Sequence, residues 1–170
     1  MNKQPSVFIS YNSNSQLEET LAIRLHTIGA VHGLNMYLPD RYNDSDNISI
    51  ETKSRINISD YYILFSTTNR LSKVALEEIQ YAYQKHNDKS RIIIIYDVAQ
   101  GKNMNGTNNC TELFYDRKKS SVEDFIFDVM QLITNHHDNT YNKKQSEAFG
   151  GLVLAGLGLL LLGAVFSGKK

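Results

Sequence analysis

The sequence predicts an α/β fold: an open parallel sheet of about five strands with helices on both faces. Three observations predict it. Strand-like and helix-like apolar patterns alternate about five times along the chain. Residues 61–65 and 91–98 are continuous apolar runs of the kind produced by a parallel sheet covered on both faces. A length of 170 residues suits one core of ordinary size with an appendage, and not two full domains.

Each element has its own signal. After Pro5, the run Val7-Phe8-Ile9-Ser10-Tyr11 reads as the first strand. Leu17, Leu21, Leu25 and Ile28 recur at helical spacing and stop near Gly29 and Gly33, so a helix is expected there. Residues 34–38 form a second strand closed by Pro39, and residues 40–47 carry turn formers and charges without apolar periodicity, the mark of an exposed loop. A helix over 48–58 places Ile48, Thr52, Arg55, Ile56 and Ser59 around one side. Residues 72–86 are helical between the two apolar runs, and the Asn-rich stretch 103–109 is a loop. Residues 113–115 make a short edge strand, and a last helical pattern runs from Val122 to Ile133.

Composition narrows the function classes. Hydrophobic residues at 41% and charged residues at 21% fit a globular chain and exclude an acidic disordered tail, a collagen or a coiled-coil rod. Lys and Arg number 18 against 18 Asp and Glu, so the chain lacks the basic field of non-specific nucleic-acid binding, and no nucleic-acid partner is expected. A single cysteine, Cys110, permits neither an internal disulfide nor a Cys-based zinc cage and points to a reducing compartment. His26, His32, His86, His136 and His137 make no metal-ligand spacing with Cys110, and no Walker or Rossmann glycine pattern follows the first strand, so no metal and no cofactor is expected. Arg117-Lys118-Lys119 reads as a solvated face, with contact to lipid headgroups as the functional alternative.

The far end of the chain differs. Residues 149–166 carry no charged or strongly polar side chain, and as a helix they would reach roughly 27 Å, just short of a hydrocarbon core of about 30 Å. The preferred reading is a membrane anchor that leaves the preceding domain in the cytoplasm; a buried core helix or a segment packed on a partner is the alternative. Gly151, Ala155 and Gly158 fall on one narrow helical face, where close helix packing and self-association are expected. The expected organisation is a domain over 1–135, a polar linker over 136–148 and an apolar tail helix over 149–167.

Three short blocks, in the right order, resemble the Toll/interleukin-1 receptor (TIR) domain family. VFISY at 7–11 is similar to the family's first strand, SRINISDYYILFST at 54–67 to its third-strand segment, and LSKVALEEI at 71–79 to its region of Ser, Trp and Glu. The resemblance covers roughly residues 5–135 and implies the flavodoxin-like TIR fold, with residues 39–47 as its BB loop. Many TIR domains cleave the nicotinamide glycosidic bond of NAD+ with one glutamate, and block matching puts that glutamate at Glu78. NAD+ is then a substrate and a partner, and the function implied is a NAD+ hydrolase of nucleosidase or cyclase type, switched on by assembly in defence or signalling.

The helical pattern separates Glu78 from its neighbour. Ala75, Leu76, Ile79, Ala82 and Tyr83 form an apolar stripe centred near Ile79, so Glu77 points nearly opposite the core while Glu78 sits at the margin of the buried face. The pattern alone leaves open that Glu78 is a solvated helix carboxylate. The chemistry implied by the resemblance needs one placed anion, because nicotinamide leaves as a neutral base while the ribose gains oxocarbenium character. Ser10, Tyr11 and Asn12 at the end of the first strand, and Ser66 at the end of the third, are expected around the cleft, with Arg41 meeting a phosphate as a planar fork. The family's Trp is replaced by Val74, and the chain has no Trp at all. Either Tyr81, Phe8 or Tyr42 therefore supplies the stacking surface, or turnover is weak. Asn12 and Ser13 stand where basic residues are often found. The rival function class is a non-enzymatic TIR adaptor; a phosphate-accepting response module lacks its Asp, since Ser10-Tyr11-Asn12 occupies that place.

Overall fold

The computed structural model describes residues 4–41 and 47–148. Its elements follow one another as β1 (Ser6–Ser10), α1 (Gln16–Val31), β2 (Asn35–Tyr37), α2 (Ile50–Ile58), β3 (Tyr61–Ser66), α3 (Lys73–Lys85), a 3-10 turn at Lys89–Arg91, β4 (Ile92–Asp97), β5 (Thr111–Tyr115) and α4 (Val122–Ala148). The strands pair in parallel throughout, in the order β2-β1-β3-β4-β5, which is the flavodoxin-like order with its switch point between β1 and β3. The chain divides into two units, Met1–Asn135 and His136–Lys170, and the sheet belongs to the first.

Every residue of β1, β3 and β4 is buried, as continuous apolar runs demand when both faces are covered. Alternation then sorts the side chains. Val7, Ile9, Tyr61, Ile63, Phe65, Ile93 and Ile95 pack with α1 and the first turns of α4. Phe8, Tyr62, Leu64, Ile92, Ile94 and Tyr96 face Ile56 of α2 and Ala75, Ile79 and Ala82 of α3. Ser15, Ser49 and Ser72 start α1, α2 and α3, each side chain accepting a backbone N–H three residues on. Edge strand β5 leaves Phe114 half exposed. Arg117 of the basic run is held by Asp97 at 2.6 Å, so this residue at least is not simply solvated.

Helix α1 ends at Val31, between Gly29 and Gly33 as its spacing predicts. Gly29 lies in its last turn, and a Cβ there would meet Met36 Sδ at 2.9 Å, so its lack of a side chain serves close packing on β2. Gly33, with φ +84°, makes the turn out of the helix. At the other end, α4 does not stop near Ile133 but runs to Ala148, so the expected linker 136–148 is helical. Apolar periodicity ends at Ile133, yet residues 134–148 contain neither Gly nor Pro, and nothing in them breaks a helix. The apolar stretch 149–167, read as a tail helix, lies outside the described residues. Among the described residues no helix is long and apolar enough to cross a membrane.

One buried carboxylate ties the carboxyl ends of the strands together. Glu18, in the first turn of α1, has no exposed surface. Its Oε1 accepts the backbone N–H groups of Thr67 (2.7 Å) and Thr68 (2.9 Å) and both threonine hydroxyls, while Oε2 accepts the Asn12 N–H at 2.8 Å. Glu18→Ala strands three backbone donors, each worth about 1–3 kcal/mol when left unpaired in a buried site. The variant is expected to lose at least about 3 kcal/mol of stability in urea denaturation; a loss under about 1 kcal/mol would show that water replaces the carboxylate without penalty.

Candidate functional site

Ser10 is the last residue of β1, and Glu78 lies one turn into α3, on the face that packs over β1 and β3. Both are fully buried. The Ser10 hydroxyl donates to Glu78 Oε2 at 2.5 Å. Arg41, just past β2, brings its guanidinium onto the same carboxylate: Nη2 donates to Oε2 at 3.2 Å, and Nη1 stands 3.1 Å from Oε1. That second approach is an ion pair without hydrogen-bond geometry, so Oε1 and the Arg41 Nε keep unused hydrogen-bonding capacity. Nη2 also donates to the Tyr11 carbonyl at 3.2 Å, and the guanidinium lies 5.5 Å from the centre of the Tyr11 ring.

Burial is the main influence on Glu78, and it pushes the carboxyl up to about 7 although Arg41 and Ser10 both favour the anion. Beneath it, the Tyr62 hydroxyl is fully buried beside Ser10 without making a hydrogen bond of good geometry. Burial, reinforced by the charge of Glu78, drives its phenol well up. Tyr62 was not among the expected site residues. The available signal was a phenol inside an otherwise apolar strand run.

The remaining expected residues are arranged differently. Phe8 is wholly buried and stacked on Tyr62 at 5.7 Å, so its ring belongs to the core and offers no face to a substrate. Asn12 donates its side-chain amide to the Arg70 carbonyl at 2.8 Å, in the loop after β3, and accepts the Asn14 N–H of its own loop at 3.0 Å. Ser66 donates to Asn103 Oδ1 at 2.7 Å. Tyr81 sits at the α2–α3 seam, its hydroxyl on Asn57 and its ring flanked by Lys53 and Lys85, away from the Ser10–Arg41–Glu78 group. Tyr42 lies outside the described residues. The fork of Arg41, expected to be open to a phosphate, is taken by Glu78.

Glu77 is not a free solvated carboxylate either: its Oε2 accepts the Ile48 N–H at 3.1 Å and so anchors the entry to α2. Leu76, placed in the apolar stripe by its spacing, is 40% exposed, because the core contact of α3 centres on Ala75, Ile79 and Ala82. Among the described residues, no three His, Cys, Asp or Glu side chains converge in a way that could hold a metal ion.

No family model matches the sequence, and no curated protein does. Among solved structures, the chain is similar to the lysine decarboxylase LdcF of Francisella novicida, with a TM-score of 0.50 and 15% identity over 79% of this chain. The match spans 18% of the decarboxylase chain. At that identity the likeness shows the fold alone, an α/β unit with a parallel sheet.

The acidity of Glu78 has a consequence for stability. Its carboxyl titrates near 7 in the folded protein against 4.5 ordinarily. A group whose folded value is raised holds its proton better when folded, so its contribution is fully present below about pH 4.5 and is lost as pH rises through about 7. Relative to Glu78→Gln, which does not titrate, the wild type should lose roughly 3 kcal/mol across that window, followed by urea denaturation at a series of pH values. A difference that stays flat with pH would mean that Glu78 keeps ordinary acidity.

Proposed function

We propose that this protein is a TIR-domain NAD+ hydrolase, with Glu78 as its catalytic carboxylate, assembled at a membrane through its apolar tail. One observation carries the reading: a buried carboxylate of raised pKa stands at the switch point of a flavodoxin-like sheet, where ligands of such sheets bind. The family resemblance supplies the substrate class. In the proposed reaction, the bond between the ribose C1′ and the nicotinamide nitrogen breaks. Its electron pair leaves with nicotinamide, which departs neutral, and ionised Glu78 steadies the positive charge on the ribose until water adds. Oε1, which makes no hydrogen bond, is the acceptor available to a ribose hydroxyl. Ser10 orients Oε2. Substrate entry requires Arg41 to swing aside, and its freed fork then suits the pyrophosphate. A neighbour's BB loop completing the pocket would make turnover depend on assembly.

A second reading, the non-enzymatic adaptor that binds other TIR domains through the BB loop, draws on the same contact. Arg41 covers Glu78 as the chain stands.

NAD+ turnover by the purified full chain, with and without detergent and read by product chromatography, separates the two. Glu78→Gln should reduce it at least about 100-fold, since the amide keeps the size and loses the charge. Glu77→Gln should change it less than about twofold, because a Gln oxygen still accepts the Ile48 N–H. The acid limb of the pH profile should centre near 7 and move to higher pH in Arg41→Ala, which removes the charge that favours ionised Glu78. No turnover under any condition, or equal loss in both glutamate variants, favours the adaptor.

Deleting residues 150–170 should move the protein from the membrane fraction to the soluble fraction. Replacing Leu160 with Arg should weaken insertion by about 3 kcal/mol. A full chain that stays soluble and monomeric without detergent overturns the anchor.

A further inference from the structure

A cavity of about 540 Å³ opens between α3 and the loop joining β4 to β5, within the usual range of small-molecule sites, and none of Ser10, Arg41 and Glu78 lines it. Ile79, Ile94 and Met104 give it apolar walls, and Gln80, Gln84 and Asn103 bring side-chain amides to it. No charged side chain is in the lining, although 21% of the chain is charged. The loop is held in place by Tyr83, whose hydroxyl donates to the Asn108 carbonyl at 3.3 Å, and by Asn103, which is bonded to Ser66 and Thr68. A buried hydroxyl stands just behind the lining. Tyr96 is fully buried on the same face of β4 as Ile94, and its hydroxyl, beside the lining residue Thr107, makes no hydrogen bond of acceptable geometry. Thr107 donates its own proton to Glu112, and its oxygen stays able to accept from the Tyr96 hydroxyl beside it.

The lining selects the chemistry. No charged side chain belongs to the lining itself, so a charged ligand gains no direct ion pair there, and a neutral one is favoured. Apolar walls suit a flat ring, and amides that both donate and accept suit a carboxamide. We infer that this cavity binds a neutral heteroaromatic carboxamide. Nicotinamide is the member of that class which the proposed reaction releases; this choice of member rests on the NAD+ reading, while the class rests on the lining.

Cys110 supplies the readout, since it is the only cysteine in the chain and lines the cavity. Alkylation of Cys110 by iodoacetamide is timed in the full chain, in the wild type and in Glu78→Gln, against rising nicotinamide and rising nicotinate. Nicotinamide should slow the reaction saturably and equally in both proteins, and nicotinate, which carries a carboxylate, should not. Gln80→Ala with Gln84→Ala removes two amides at exposed helical positions where Ala is well tolerated. It should raise the half-protecting concentration about tenfold. Absence of protection, equal protection by nicotinate, or an unchanged half-protecting concentration in the double variant overturns the inference. Protection without NAD+ turnover sinks only the catalytic reading; turnover without protection sinks only the cavity.

Discussion

The hydrogen bonds of Glu18 fix the end of the sheet on which the candidate site stands. At a switch point the chain leaves β1 toward one face and β3 toward the other, so the backbone N–H groups just past the two strands lose their ladder partners while still buried. Asn12, Thr67 and Thr68 present three such donors, and one carboxylate from α1 collects them all. The Asn12 side chain adds a second tie between the same loops, donating to the Arg70 carbonyl. Through Glu18, the ends of β1 and β3 hold a fixed spacing, and α1 is pinned to both.

Glu18 and Glu78 are both carboxylates without exposed surface, and comparing them separates a structural role from a chemical one. Glu18 receives three backbone N–H groups and two hydroxyls, so nearly all its acceptor capacity is used. Glu78 receives one serine hydroxyl and one arginine, and its Oε1 is left without a hydrogen bond. The first arrangement compensates the loss of hydration; the second does so only in part, and burial accordingly raises the pKa of Glu78. Poor satisfaction together with burial is the pattern that makes Glu78, and not Glu18, the candidate reactive group.

Most of the fold was legible in the sequence because both signals used, continuous apolar runs and helical spacing, report burial, and burial organises this sheet. Strands came through within a residue or two for that reason. Gly29 marks the last turn of α1 in the sequence, but its role there, close approach to Met36, is not legible in one dimension. The helical stretch past Ile133 was invisible because periodicity reads a packed face, and the pattern ends where apolar residues do. The site was legible only at its residue types. Ser10, Tyr11, Arg41 and Glu78 do meet, but Phe8 and Tyr81 were expected there for their rings, and ring character says nothing about which face of a strand or helix a side chain occupies. Glu18 had a signal that passed unread: Ser15-x-x-Glu18 has the spacing of a capping box, although the carboxylate reaches across to Asn12 and Thr67 and not back to its own helix start.

Helix α3 joins these features, because its faces serve different purposes. Ala75, Ile79 and Ala82 seat it on the sheet, and the seat fixes the rotation of the helix about its axis. With that rotation set, Glu78 can turn only toward the end of β1, and Leu76, Gln80 and Gln84, at intervals of four, can turn only toward the β4–β5 loop. The cavity and the carboxylate are therefore two consequences of one packing decision. They are also close along the chain, since Ile79 of the lining follows Glu78 directly, and Asn103 of the lining bonds Ser66 at the end of β3. Asn103 thus ties the β4–β5 loop to the end of β3, the strand that also carries Tyr62, whose phenol feels the charge of Glu78.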